Sequence, residues 1–425
     1  MKIAVIGGGS TYTPELIAGF ASRVDELAVT ELVLHDIDAD RLDVVGGFAR
    51  RILTARDYPA ALVTTSDLHA AVDGADAVLV QLRVGGQQTR LVDETLPGKY
   101  GLIGQETTGP GGFAKALRTV PVVLDIAETV RERAQPGAWI VDFTNPVGIV
   151  TRALLDAGHR ALGLCNVAIG FQRRFAARYG VRPDQVELDH VGLNHLTWIR
   201  GVRIAGREIL PELLASDYAA ELAADIGAPI ELMQTLQAIP SYYLHYFYCT
   251  DDVVSEQQHG QHRAERVAEI ERSLLELYRD ERLVDKPALL DERGGAYYSE
   301  AAAALVTSLL TGDGARHYVN LRNDTAIPQM PAEAVVEVPA VVDRSGARAV
   351  SLAPLNPELI GLMQAVTAYE SLTIAAATSG DGRIAARALI ANPLVRQWKV
   401  IPDLLADLLE RNAEHLPRFA SGGRS

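Results

Sequence analysis

Cysteine is almost missing from this chain. Two residues in 425, Cys165 and Cys249, cannot build a disulfide framework, and such scarcity fits a reducing compartment. A positive balance is missing as well. Lysine and arginine number 40 against 54 aspartates and glutamates, a formal net charge of −14. That excludes a general nucleic-acid binder, which needs a basic face. It also leaves any anionic substrate dependent on a few local arginines. No apolar run approaches the ~20 residues that cross a bilayer. The N-terminal MKIAVIGGGS carries one lysine and a short apolar run that flows into glycines, a strand start and not a signal peptide. Internal repeats are lacking. The expected setting is therefore the cytoplasm, with no nucleic-acid or membrane partner. What remains, 48% hydrophobic and 22% charged residues, is ordinary for a soluble globular protein. A length of 425 residues exceeds one typical core, so two domains are expected.

In the first part of the chain, short apolar runs alternate with stretches of helical spacing. KIAVIG, ELVLHDID, ALVTT, ADAVLVQLRV, AWIVDFTNP and RALGLCN read as strands. TPELIAGFASRV, ADRLDVVGGFARRILTAR, SDLHAAVDGA, VGIVTRALLDAG and a long helix starting near Gly112 lie between them. Thr13 can cap the first helix, Pro14 fits its first turn, and Glu15 suits its positive end. Such alternation predicts a doubly wound parallel sheet covered on both faces. After about Gly170 the rhythm changes. Helical stretches such as HRAERVAEIERSLLELYRD and SEAAAALVTSLLT dominate, and LTWIRGVRIAGREI and VVEVPAVVDRSGARAV read as hairpins. The expectation is an α/β protein. Residues 1–170 form a Rossmann-type unit, and residues 171–425 form a mixed α+β unit that ends in a loose tail, RFASGGRS.

The turn IGGGSTYTP joins the first strand to the first helix. Gly7 and Gly9 match the first two positions of G-x-G-x-x-G, and Tyr12 stands at the third. Glycines there let a pyrophosphate approach the helix N-terminus. With Gly8, Ser10 and Thr11 they form a candidate dinucleotide cradle. Asp36 ends the second strand, where an acid binds a ribose hydroxyl and favours NAD over NADP. The alternative is a turn whose glycines serve geometry alone. GQETTGPGG reads either as a ligand loop or as a connector before a helix, and Glu106 is its one ionisable side chain. A cysteine set among apolar residues, as Cys165 is, is by default a small core residue. His195 in GLNHLTW is by default a satisfied polar group. Brought together, the two would make a soft-plus-imidazole metal site with positions left for substrate and water. The tyrosines of IPSYYLHYFYC are either aromatic core or, beside a cation, a general base.

These stretches together resemble glycoside hydrolase family 4, the NAD- and manganese-dependent glycosidases. The resemblance rests on IGGGSTYTPE, KYGLIGQETTGPGGFAKALRT, FTNPVGIVT, GLCNVAIG, GLNH, YYLHYFY and ERGGAYYS. Cys-Asn-Val is most similar to the 6-phospho-β-glucosidase branch; Ala168 stands where the family usually has proline. The resemblance implies a lactate/malate-dehydrogenase-like NAD domain and two cofactors, NAD and Mn2+ or another divalent metal. It implies Cys165 and His195 as metal ligands, Tyr243 as the base, and Glu106 as the acid that raises the tyrosine's basicity. Tyr242 and Tyr246 are close rivals for the base. Arg90, Asn145, Asn166 and Arg263 correspond to substrate contacts, with Arg263 on the 6-phosphate. The implied reaction is a redox-assisted elimination. The sugar is oxidised at C3, a tyrosinate takes the C2 proton, the aglycone leaves C1, water adds, and C3 is re-reduced. The substrate is expected to be a phosphorylated disaccharide or aryl glucoside, and the protein a homodimer or homotetramer. Rival readings are a 6-phospho-α-glucosidase, a glycosidase for unphosphorylated sugars, a lactate- or malate-type dehydrogenase, and an NAD-responsive sugar sensor.

Overall fold

The computed structural model describes all residues except 259, 296, 396 and 421–425. Apolar runs rich in β-branched residues become six strands, β1 (Lys2–Ile6), β2 (Glu31–His35), β3 (Ala61–Thr65), β4 (Ala77–Val80), β5 (Trp139–Asp142) and β6 (Ala161–Gly163), all largely buried except the edge strand β3. They pair in parallel in the order β3-β2-β1-β4-β5-β6. The order reverses between β1 and β4, which opens a crevice at the carboxyl edge of the sheet where α/β folds take their ligands.

The second half extends the same sheet. Its strands are β7 (Val186–Leu193), β8 (Leu196–Ile204), β9 (Arg207–Glu208), β10 (Ile239–Pro240), β11 (Arg316–Arg322), β12 (Val335–Asp343) and β13 (Gly346–Ala349). From β6 the sheet continues as β11-β12-β7-β8-β10, all antiparallel, with β13 on β12 and β9 on β8. A single pair, Asn320 opposite Gly163, makes the junction.

Three features differ from the sequence expectation. The helix expected to start near Gly112 begins at Gly109 and runs to Arg133, because Pro110 suits a first helical turn. GQQTRLVDET, assigned to no element from the sequence, forms the helix Gly86–Thr95. One helix, Pro357–Ser379, is long and apolar enough to cross a membrane by length and composition, with a mean hydropathy of 1.3, although no such segment was expected. Glu370 lies buried within it, and its buried side packs on the helices Gly109–Arg133 and Gly382–Ala391. Of the tail expected to be loose, Arg418–Ala420 belong to a last helical turn, Pro417–Ala420. The remaining residues lie outside the described ones.

Candidate active site

A cavity of about 1530 Å³ occupies the crevice. Gly7, Asp36, Glu106, Asn145, Asn166, Tyr243, Arg90 and Arg263 all line it. Residues that the sequence scatters over 260 positions thus share one void.

At one end lies the glycine turn. Gly7 has φ +88°, and a Cβ there would sit 2.8 Å from the Gln81 carbonyl oxygen, so only glycine fits. The helix Thr13–Ala21 follows, with Pro14 in its first turn. Asp36 Oδ2 accepts the Gly9 N–H at 2.8 Å, and Oδ1 accepts that of Asp38 at 3.0 Å. This carboxylate therefore ties the end of β2 to the turn while facing the cavity. Ser10 N–H closes the turn on the Gly7 carbonyl at 3.1 Å. Thr11 is buried, and its carbonyl accepts the Tyr278 hydroxyl at 2.7 Å. Tyr12 replaces the third glycine for a structural reason. Its hydroxyl donates to the Gly295 carbonyl and its ring meets Tyr298 edge-on at 6.3 Å, which clamps the turn to the second half of the chain. The narrow glycine turn, the open helix end and the acid at β2 fit a dinucleotide.

The polar loop before the long helix sets Glu106. Gly111 makes this possible, since a Cβ there would lie 2.3 Å from both the Asp93 and Gln105 carbonyl oxygens. Backbones thus pack directly on one another, and Gln105 Oε1 accepts the Thr108 N–H at 2.8 Å. Glu106 is buried among three cations: Arg83, Lys115 at 2.6 Å and Arg90 at 3.3 Å. Burial opposes its charge, but these cations win and hold the carboxyl well below the ordinary carboxylate range. Arg90 also bonds Glu94 at 2.7 Å, and Glu94 accepts the Ala264 N–H at 2.7 Å. That chain anchors the start of the helix Arg263–Tyr278 to the site. Arg263 itself donates to the carbonyls of Glu292 and Arg293, at 2.8 and 3.1 Å.

Cys165 and His195 are each 3% exposed and stand outside the lining of the crevice cavity; His195 borders a smaller void of about 30 Å³ with Thr107, Asn194 and Glu370. Cys165 lies two residues beyond β6, where the strand meets the helix Val167–Tyr179. Burial, and next the charge of Glu337, push its thiol pKa up. His195 closes the two-residue turn between β7 and β8 with φ +60°, an uncommon conformation for a side-chain-bearing residue. Its Nδ1 pairs with Thr107 Oγ1 at 2.9 Å. Burial pushes its pKa down to about 4, so the ring is neutral at pH 7. With Nδ1 engaged, Nε2 is the nitrogen left to ligate a metal. A thiol and a neutral imidazole are a fitting donor pair for a divalent transition metal. Among the described residues no group of three or more His, Cys, Asp or Glu is placed to hold an ion, so such a metal would keep positions open.

The three tyrosines separate in space. Tyr243 stacks flat on His195, with centroids 3.5 Å apart and planes 8° apart. Tyr242 instead stacks on Phe171 at 5.0 Å, and Tyr246 lies tilted on His245 at 3.9 Å. Burial, then Cys165, Tyr246 and Glu106, raise the Tyr243 pKa well above its usual value. Asn145 precedes a cis peptide bond to Pro146, and its buried Oδ1 has no hydrogen-bond partner among the described residues. An orphan acceptor on a cavity wall suits a ligand hydroxyl. Arg83, Thr107 and Lys115 were not singled out by the sequence, although Thr107 and Lys115 stand inside the GQETTGPGGFAKALRT block.

The chain matches the sequence model described as "Family 4 glycosyl hydrolase" over residues 2–181, and that family's C-terminal domain over residues 190–395. It is 39% identical to "Probable 6-phospho-beta-glucosidase" of Bacillus subtilis, over 99% of this chain and 98% of that one. It is 35% identical to "6-phospho-beta-glucosidase" of Escherichia coli, over 99% and 97%. A solved structure of the 6-phospho-beta glucosidase from Thermotoga maritima, with manganese, NAD+ and glucose-6-phosphate, superposes with a TM-score of 0.92. That protein is 36% identical, over 98% of this chain and 99% of that one. Phospho-alpha-glucosidases are also similar, at 27% identity over 97% of this chain. A lactate dehydrogenase from a deep-sea metagenome shares the fold at a TM-score of 0.57 and 12% identity.

Proposed function

The chain belongs to glycosyl hydrolase family 4, and we propose that it hydrolyses 6-phospho-β-glucosides by redox-assisted elimination. The observation that carries this reading is one cavity that joins a dinucleotide turn to Glu106, two arginines and Tyr243, whose ring stacks on His195. The greater likeness to β-specific relatives, 35–39% against 27% for the α-specific ones, supports the β linkage.

When bound, NAD supplies a hydride acceptor for C3 of the sugar and a divalent metal supplies Lewis acidity beside it. Gly7, Gly8, Gly9, Ser10, Thr11 and Asp36 hold the dinucleotide. Cys165 and His195 hold the metal, Thr107 fixing the imidazole tautomer. Tyr243 removes the C2 proton. A cation beside it would offset the upward push of burial on its pKa, while the Glu106 carboxylate keeps the phenolate basic. Asn145 and Asn166 contact the sugar hydroxyls. Asn166 has no acidic proton, so the leaving oxygen takes its proton from water or from another group. Arg90 contacts the substrate, and Arg263 meets the 6-phosphate, where a guanidinium fork suits the anion. Both cysteines are free, in accord with a reducing compartment and with the cytoplasmic setting we infer.

The test is turnover of p-nitrophenyl 6-phospho-β-glucoside, its α-anomer and the unphosphorylated β-glucoside, with NAD+ and Mn2+. Cleavage of the first alone, dependent on both additions and without NADH accumulation, is expected. Preference for the α-anomer or the free glucoside would reassign the substrate. Net NADH formation would favour a dehydrogenase.

A further inference from the structure

Strand β12 reads VVEVPAVVD. Glu337 is its third residue, 1% exposed between β11 and β7, opposite Asn320 and Gly192. A carboxylate in the middle of such a strand is costly to bury unless its lone pairs are met. Three donors meet them. His190 Nε2 lies 2.9 Å from Oε1; Asn194 Nδ2 and Asn320 Nδ2 donate to Oε2 at 3.1 and 3.0 Å. Those hydrogen bonds and His190 outweigh burial and hold its pKa below the ordinary value, so it is charged. Among the described residues no lysine or arginine forms an ion pair with it.

Two lines lead from this anion to the metal-binding pair. One is mechanical. Asn194 and His195 are the whole turn between β7 and β8, and His195 holds φ +60°. A residue kept in that region needs surroundings that over-determine it. Glu337 grips the Asn194 amide from below. Gly148 packs against the same residue: a Cβ added there would be 3.1 Å from Asn194 Cβ. Thr107 and the Tyr243 ring fix His195 from the other side. The other line is electrical. Glu337 is a buried carboxylate that bonds the residue beside His195 and forms no ion pair with a lysine or arginine among the described residues. A buried anion of this kind, without a cationic side-chain partner, favours a cation close by. One thiolate and one imidazole leave such a cation with a net charge of +1, which a buried carboxylate would cancel.

We propose that Glu337 is a positioning residue for the metal: it locks the Asn194–His195 turn and supplies the buried negative charge that a two-ligand site lacks. It contacts no substrate, and the inference rests on the reading that Cys165 and His195 bind the metal. Carboxylates behind metal ligands typically contribute 10–100-fold in affinity.

The experiment is Mn2+ binding, read by electron paramagnetic resonance of the free ion, with NAD+ binding measured on the same samples by fluorescence. Glu337→Gln keeps the shape and removes the charge. Its Mn2+ dissociation constant should rise at least ~10-fold while NAD+ affinity stays within twofold. Asn194→Ala keeps the charge and cuts the link to the turn; a threefold or greater loss of Mn2+ affinity is expected. It carries the test should Glu337→Gln fail to fold by circular dichroism. Cys165→Ser separates the two claims. If Cys165→Ser abolishes Mn2+ binding while folded Glu337→Gln or Asn194→Ala binds like wild type, the role of Glu337 is wrong and the site stands. If Cys165→Ser binds Mn2+ normally, the metal reading itself falls. Equal losses of Mn2+ and NAD+ affinity in Glu337→Gln would make Glu337 a general structural residue and overturn the proposal.

Discussion

At the scale of single residues, charge decides most of what the site can do. Glu106 has three cations around it, and its pKa is depressed. The sign follows from linkage. A carboxylate with a lowered folded pKa contributes stability that is fully present above the unfolded value, about 4.3, and lost as pH falls toward the folded one. Glu106→Gln leaves Arg83, Lys115 and Arg90 facing one another. It should cost about 3–5 kcal/mol at pH 7, and the gap to wild type should close on acidification below ~4.3. Denaturant unfolding at several pH values checks this; a gap independent of pH would assign the loss to packing. Arg263 is the second case. Arg263 is exposed in the free protein, so Arg263→Ala should lower kcat/KM for a 6-phosphorylated substrate at least ~10-fold, from about 1.5–3 kcal/mol for a lost hydrogen bond to a charged group. The unphosphorylated glucoside should lose much less, and Arg263→Lys should recover part. Because Arg263 also holds the carbonyls of Glu292 and Arg293, an equal fall for both substrates would make it a clamp on that segment. Cys165, His195, Tyr243 and Glu106 were legible in the sequence through motifs. The partners that tune them were not. Arg83 stands in the loop beyond β4, in an ordinary strand-like run, and Glu337 lies 142 positions from His195, brought near it only by the sheet register.

At the scale of elements, the parallel half was legible and the antiparallel half only in part. Strands β1, β2, β4, β5 and β6 are apolar because they are covered on both faces, so each stands out as a short run, whereas the edge strand β3 has no buried residue. In β7 the alternation is disguised by a register shift between Leu188 and His190 and by the buried His190 itself. In β11, RHYVNLR, arginine stands at both ends and the buried Asn320 in the middle. His190 and Asn320 both bond Glu337, so the strands hardest to read carry the network behind the proposed metal ligands. Glycines show a similar contrast. Gly111 sits where helix and loop backbones touch, whereas a Cβ on Gly170 would meet nothing within 4 Å. Gly111→Ala should destabilise by about 1–3 kcal/mol through overpacking and reduce activity by shifting Glu106. Gly170→Ala, inside the helix Val167–Tyr179, should be neutral or stabilising by up to about 1 kcal/mol. Thermal melting of the two variants decides; equal effects would contradict this account of the loop.

At the scale of the whole molecule, a net charge of −14 surrounds a cavity of the opposite sign. Eight lysine or arginine side chains line it against five acidic ones. Composition alone argued against attraction of an anionic substrate; the fold concentrates the basic minority where the substrate goes. At low salt kcat/KM for the phosphorylated substrate should therefore be several-fold higher than at about 0.15 M, where the screening length is about 8 Å, with kcat unchanged. A rise with salt would mean that the overall negative charge governs approach. The central claim is chemical: a proton leaves C2 and returns from solvent, a step that hydrolysis by two carboxylates lacks. Its most direct test is to run the reaction to completion in D2O and examine the glucose 6-phosphate by NMR and mass spectrometry. The account predicts one deuterium at C2 in each product molecule. Product with protium retained at C2 would contradict it.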